Sequence, residues 1–439
     1  MWPIQCAVTN IANAANKPFV AALYSGRNKP QNSDYLLDFV DELQTLTQSG
    51  IAGKNVSIKN IVCDTPARSL VKGTIRFNGR YGCDFCDVRG EYDGRMLFLS
   101  KGNLRTDESF RNKENSEHHK TDSPFLRLEI DMIRQFPLDP MHCVDLGVTK
   151  RLLLLWKEGP LPYRLSAGLI DVISQFHQRL QPCMPSEFNR KPRGLDELKM
   201  WKATELRTFL LYTGPVVLKF VLDNEKYEHF LSLSIAIRIL YSDKFAHLQQ
   251  YADGLLSFFV NKAKILYSRN FISYNVHCLL HLSDTAKHYG SLQVCSAYKY
   301  ENNMTQIKKC VRGTGDPVIQ IANRLAENSF IEQLSQNEDS TKLMVKSCVK
   351  LNSGDFCVVH EVRESRVFCE VFTQTRPMYT EPCDSRIIGI HRGCTQNTDM
   401  VWKDVTDFLD RTTAIKIPLS LFDREQTTSV VLIPLIHTL

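Results

Sequence analysis

Short apolar runs alternate with polar turns through the first third of the chain. Ile4–Val8 and Phe19–Tyr24 are bounded by Asn, Gly and Pro, which is a strand pattern. Ser33 is placed to cap a helix whose apolar residues Leu36, Val40, Leu43 and Leu46 recur at helical spacing, and Gly50 ends it. Val56–Cys63 then reads as another strand with Asp64 at its end, so β-β-α-β is the predicted order of an α/β core. Residues 102–123 turn polar and charged and read as an exposed loop. From Leu146 to His288 helical patterning dominates, as in Leu152–Trp156 and the stretch from Phe230 through Leu240 to Phe259. A shorter helix signal surrounds Tyr300–Val311. Beyond Ser335, Phe356–Val359, Val367–Phe372, Ile387–Ile390 and Val430–Ile433 are β-branched and aromatic runs between breakers. The expected layout is an α/β core in 1–145, an all-α insertion in 146–290, last core helices in 291–332 and a small β-rich C-terminal domain in 333–439.

The length of 439 residues fits two or three domains of roughly 100–200 residues. Hydrophobic residues at 43% and charged residues at 23% exclude a fibrous or disordered protein. A net charge of +6 is compatible with a nucleic-acid partner, and solvated charge explains it equally well. No apolar stretch approaches membrane-helix length, so no membrane partner is expected. Met1–Val8 has no basic residue ahead of its apolar ones, unlike a secretory signal. The 14 cysteines are therefore expected as thiols or metal ligands in a reducing, intracellular compartment.

Cys83-Asp84-Phe85-Cys86 is a C-x-x-C, and two thiolates at that spacing can hold one zinc from a tight turn that Gly79 and Gly82 supply. A redox dithiol is the rival. No His pair follows at zinc-finger distance. His277 and His281, at i and i+4, share a helix face and can reach one ion, although two hydrogen-bonded or solvated histidines are the plainer reading of that pair alone. Joined to the C-x-x-C they would make a closed Cys2His2 site, structural because four protein ligands leave no place for a catalytic water. Asp64 stands at a strand's C-terminal edge, where α/β sheets put ligands, or else caps the following helix. Glu301 lies beside Thr305, Lys308 and Arg312 on one predicted helix face. An acid that holds Mg²⁺ next to cations that hold phosphates suits a phosphodiester, and a solvated charged face is the plainer reading. Phe136–Gly147 packs titratable residues into an apolar setting, as a site or as a sharp turn. No P-loop, G-x-S-x-G, H-E-x-x-H or deaminase signature is present.

Taken together, WPI, GRNKPQNSDYLLDFVDELQTL, CDTPARSLVKGTIRFNGRYGCDFC, SPFLRLEIDMIRQFPLDPMHCVDLGVTKRLLLLW, YNVHCLLHL and SAYKYENNMTQIKKCVRGTGDPVIQIANRLAE resemble the transposase of En/Spm-type (CACTA) DNA transposons over most of residues 1–330. That resemblance implies an RNase H-like core of the DDE superfamily with a helical insertion ahead of its third acid. It implies Asp64 and Glu301 as second and third acids holding catalytic Mg²⁺, and Cys83, Cys86, His277 and His281 as ligands of a structural Zn²⁺. DNA is the implied partner, Lys308 and Arg312 the implied backbone contacts, the nucleus the implied location, and a homodimer is compatible with it.

The family's first acid lies in an Asp-Gly turn shortly before Trp-Pro-Ile, ahead of Met1. Asp34, Asp38 and Asp41 fall on the predicted helix and do not replace it. An N-terminally truncated, inactive transposase derivative is therefore the expectation. The alternative is a domesticated DNA- or protein-binding module stabilised by zinc.

Overall fold

A computed structural model describes residues 1–10, 17–28, 30, 34–334, 343–423 and 425–436; Ser33, the expected helix cap, lies outside them. The chain divides into two compact units, Met1–His142 with Cys295–Ser340, and Cys143–Val294 with Thr341–Leu439. Helices are mixed with a large antiparallel sheet that belongs to the second unit.

In the first unit Trp2–Cys6 and Phe19–Tyr24 pair antiparallel, with a register shift between Ile4 and Gln5. The helix Asp34–Ser49 follows, and Gly50, at a φ of 68°, ends it in the left-handed conformation that glycine adopts without strain. Its residues Leu36 and Val40 enter a core with Phe110, Phe125, Leu128, Ile130, Met132, Ile133 and Phe136.

Two expectations fail here. Val56–Cys63 is not in a sheet: the Ile61 N–H donates to Gln135 O at 2.7 Å, and the Gln135 side chain donates to Ile58 O. One glutamine thus satisfies backbone groups that a neighbouring strand would otherwise satisfy. Residues 102–123 are not simply an exposed loop either. A capping box of Thr106 and Ser109 opens the short helix Asp107–Arg111, and Phe110 and His118 are buried. Arg111 holds this segment down by donating to the carbonyls of Leu126 and Ile130, at 3.0 and 2.7 Å.

The helix Thr65–Lys72 is bounded by side-chain and backbone chemistry at both ends. Asp64 Oδ1 accepts from Ala67 N at 2.7 Å, Pro66 sits in the first turn, and Gly73 at a φ of 68° closes it. A Cβ on Gly73 would lie 2.3 Å from Thr121 O, so the approach of that backbone also requires glycine. This helix buries a charged face, Arg68 and Lys72, rather than an apolar one.

In the second unit Asn224–Leu240 is buried on nearly all sides and packs on Gln249–Tyr267. In spatial order the sheet runs Thr398–Asp404, Arg366–Phe372, Phe356–Val362, Cys348–Lys350, Thr412–Pro418, Ser429–Pro434, His391–Cys394 and Thr375–Pro377, every neighbour antiparallel. The runs expected at 356, 367 and 430 are strands of it. Ile387–Ile390 is not: Asp384 caps a tight turn Ser385–Ile388, and Gly389 at a φ of 80° ends it. The helices and the sheet share this unit. Arg238 of the buried helix donates to Ile388 O at 2.9 Å and Pro434 O at 2.8 Å, and Gln293 donates to Ile436 O at 2.9 Å. No helix among the described residues is long and apolar enough to cross a membrane.

Buried neutral histidines make an acid-sensitivity prediction. Burial holds His177 and His229 down at about 4 and His118 at about 3. Their partners are Arg193 O and Thr213 for His177, Phe259 O for His229 and Tyr81 O for His118. The unfolded chain protonates these rings near pH 6.5. Stability is therefore fully present above that value and falls as pH drops toward the folded values, by about 1.4 kcal/mol per pH unit for each histidine. Urea midpoints should be level between pH 8 and 7 and should fall steeply between pH 6 and 4. A flat profile over the lower range contradicts the assignment.

Candidate metal centre and acidic site

The loop that carries the C-x-x-C is built by glycine turns. Gly79 N donates to Arg76 O at 2.8 Å and Gly82 N to Gly79 O at 3.2 Å. A Cβ on Gly82 would meet Arg76 O at 2.6 Å, so only glycine passes there. The loop delivers Cys83 and Cys86 fully buried, with their sulfurs 3.6 Å apart. Arg105 Nε donates to Cys83 O at 3.1 Å, fixing the loop from the far side.

Between the two cysteines, Asp84 turns inward to a buried ionic cluster. It meets Arg68 Nε at 2.8 Å, Lys72 Nζ at 3.5 Å and His118 Nε2 at 3.7 Å. Burial alone would raise its carboxyl, and the charges of Lys72 and Arg68 override that and hold it well below the usual carboxylate range.

The histidine pair lies where the short helix Tyr274–Cys278 tightens into the turn Leu279–His281. His277 and His281 are both buried, their Nε2 atoms 3.3 Å apart. The ligand atoms of Cys83, Cys86, His277 and His281 all lie within 4.8 Å of one another, a buried cluster that could hold a metal such as zinc. Tetrahedral zinc, with Zn–S of about 2.3 Å and Zn–N of about 2.0–2.1 Å, separates two sulfurs by roughly 3.7 Å and two nitrogens by roughly 3.3 Å. Both spacings are matched, and the set of two thiols and two imidazoles is one that zinc favours.

The acids lie in the first unit. Asp64 caps its helix through Oδ1, the second of its two readings, and Oδ2 accepts no hydrogen bond among the described residues. Glu301 is exposed in the first turn of the helix Tyr298–Lys309. That helix is anchored at its start by Asp139, whose Oδ1 accepts from Ala297 N at 2.9 Å and Met141 N at 3.0 Å. Asp139 Oδ2 takes His142 N at 3.3 Å and His142 Nδ1 at 2.5 Å. Burial pulls the His142 ring down, but the hydrogen bond and charge of Asp139 outweigh it, and Asp64 and Glu301 push in the same direction. The ring's affinity for a proton therefore ends above its ordinary value.

Lys308 and Arg312 do not share a helix face. Lys308 is exposed near the end of its helix, which stops at Lys309. Arg312 lies beyond it, in a turn where its backbone N–H donates to Gln320 Oε1 at 3.0 Å. Behind them Ile307 and Cys310 are buried against Ile321, with Met304, Val311, Val20 and Leu23 packed around. The Asp139–His142 pair falls within Phe136–Gly147, the titratable stretch in an apolar setting. The Asp-x-x-His spacing at the mouth of the Met141–Thr149 helix was the signal for it.

No protein-family model matches the chain. No curated protein matches it either.

Proposed function

We propose that the chain is a transposase-derived protein of the En/Spm (CACTA) type, with an RNase H-like core whose acids Asp64 and Glu301 hold divalent metal against a DNA phosphodiester. The observation that carries this reading is the buried cluster of Cys83, Cys86, His277 and His281, the four residues that the resemblance implies as zinc ligands, together with Asp64 and Glu301 belonging to one unit. Mg²⁺ held there would polarise the phosphate and lower the pKa of an attacking water or 3′-hydroxyl. The chain's own contribution is positional. The Asp64 cap leaves one carboxylate oxygen for a ligand, and Asp139 fixes the start of the helix that presents Glu301. Asp139 itself is spent on four hydrogen bonds and is not a metal ligand in this reading. The buried cysteine–histidine cluster supports it further as a structural Zn²⁺ site, and DNA as partner makes the nucleus the place of action.

Iron-directed cleavage tests the acids without requiring turnover. Fe²⁺ bound in place of Mg²⁺, with ascorbate and peroxide, should cut the backbone near residues 64 and 301. Asp64→Asn with Glu301→Gln should abolish both cuts while zinc content stays unchanged. Cuts elsewhere, or none, remove the metal-dependent reading. DNA binding that survives such a result identifies the chain as a zinc-stabilised binding module instead.

A further inference from the structure

We infer that the loop carrying Cys83 and Cys86 is a surface for duplex DNA, on which Arg76, Arg80, Arg89 and Arg95 contact backbone phosphates. This rests on the proposed DNA partner and names the surface that would meet it.

Backbone contacts gather these four arginines from separate turns of the loop. Arg76 O accepts from Gly79 N at 2.8 Å, which brings Arg76 back toward Arg80. Arg80 O accepts from Gly90 N at 2.6 Å, which sets Arg80 beside Arg89. Gly90 is in turn covered by the hairpin that follows, since a Cβ there would lie 2.7 Å from Met96 Sδ, and Met96 is the neighbour of Arg95. That hairpin pairs Glu91 with Leu97 and Tyr92 with Met96, and Gly94 at a φ of 68° makes its turn. Residues 91–95 are all exposed, and Tyr92, between Arg89 and Arg95, is 75% exposed.

The loop sorts its charges by sign. Asp84 is buried against Arg68 and Lys72, and Asp87 is spent on the backbone N–H and side-chain amide of Asn103, at 2.8 and 3.1 Å. Arg76, Arg80, Arg89 and Arg95 are all exposed, and no ion pair or side-chain hydrogen bond engages them among the described residues. Between residues 76 and 103 the exposed charged side chains are these four with Lys101, against Glu91 and Asp93 alone. A surface that turns its acids inward and leaves its guanidinium groups to solvent is complementary to an anion with many charges. Guanidinium forks match phosphate oxygens in pairs. The form of the loop selects duplex DNA among such anions, because a two-stranded ribbon is a shape that the major groove admits. Arginines at the ribbon's tip and base then lie toward the phosphates on its two sides, and the Tyr92 hydroxyl can reach the backbone between them.

The salt dependence of DNA binding tests the surface. A fluorescent mixed-sequence duplex of about 20 base pairs, two helical turns, is titrated with the full chain at a series of KCl concentrations. Arg76→Gln, Arg80→Gln, Arg89→Gln and Arg95→Gln together should flatten the slope of log affinity against log salt by about 3–4, at roughly 0.9 per phosphate contact, and weaken binding about a hundredfold near 0.1 M salt. Each change alone should flatten it by about 0.9, so the result does not depend on the fourfold variant folding. The same four positions changed from Arg to Lys should keep the slope, because a lysine still neutralises a phosphate. Arg164→Gln, Arg190→Gln, Lys244→Gln and Arg376→Gln, at exposed positions of the second unit, remove the same net charge and should leave the slope unchanged. Zinc content should stay at the wild-type value throughout. A slope that the loop variants do not change, or that the second-unit variant flattens equally, overturns the inference and leaves the DNA partner standing. A wild type that does not bind the duplex overturns both, and retention of polyglutamate by the same arginines would then make an acidic protein the occupant.

Discussion

Cys83→Ser is expected to strip one metal ion from each chain and to lower the melting temperature by more than 10 °C, roughly what a loss of several kcal/mol does in a domain of this size. The same result is expected for Cys86→Ser, His277→Ala and His281→Ala. All four side chains are buried with their ligand atoms within 4.8 Å of one another, so removing one leaves the other three without the ion that reconciles them. Structural zinc in small domains contributes on the order of 10 kcal/mol of apparent binding free energy, which becomes folding free energy because the unfolded chain holds no such site. A chelator should reproduce the effect on wild type, and added zinc should reverse it. Cys183→Ser, at a half-buried cysteine outside the cluster, should retain the metal and melt within a few degrees of wild type. Elemental analysis and thermal unfolding decide the matter: metal-free wild type that melts as the native protein does would rule the site out.

How much of this was legible in the sequence depends on what each pattern measures. The pairing of C-x-x-C with the distant His-x-x-x-His could be read because few side chains make good zinc ligands and both halves had the right internal spacing. Gly50 as a helix end could be read because a left-handed residue is needed there. Val56–Cys63 misled because alternation of side chains reports an extended backbone and says nothing about whether a partner strand satisfies it. Here Gln135 does that with one peptide group and one amide. Residues 102–123 misled for the opposite reason. The segment is polar on average, but Phe110 and His118 anchor it, and Arg111 bonds carbonyls contributed by other turns. Lys308 and Arg312 looked like one face only because the helix was assumed to run past Lys309. The hold of Asp139 on Ala297 N, 158 residues further along, depends on tertiary placement, and no local spacing encodes that.

Asp84→Asn is expected to cost about 3–5 kcal/mol, the range for breaking a buried ion pair by removing one partner. Asp84 is the acid facing Arg68 and Lys72, and all three side chains are almost wholly enclosed. An asparagine of the same shape keeps one acceptor for Arg68 Nε but supplies no charge, so two cations are left facing each other in a medium that hydrates neither. Among the described residues the Lys72 ammonium then has the faces of Phe110 and Phe136, 4.9 and 5.6 Å away, to offset its burial. Burial already pulls the Lys72 amine below its ordinary range even with the acid present, and without Asp84 it should go lower still and become neutral. Lys72→Met in the Asp84→Asn background should therefore recover part of the loss, because it removes a buried amine left without its acid and fills the same space between the two phenylalanines. The acid limb of wild type carries the same signature. The folded carboxyl is held below its unfolded value, so its contribution is present above about pH 4 and disappears as pH falls further. Asp84→Asn should flatten that limb below pH 4 and leave the histidine-driven fall between pH 6 and 4 in place. A double variant no more stable than Asp84→Asn alone would mean that the cost lies in the loop carrying Cys83 and Cys86 rather than in stranded charge. Zinc content of the two variants measures that loop directly.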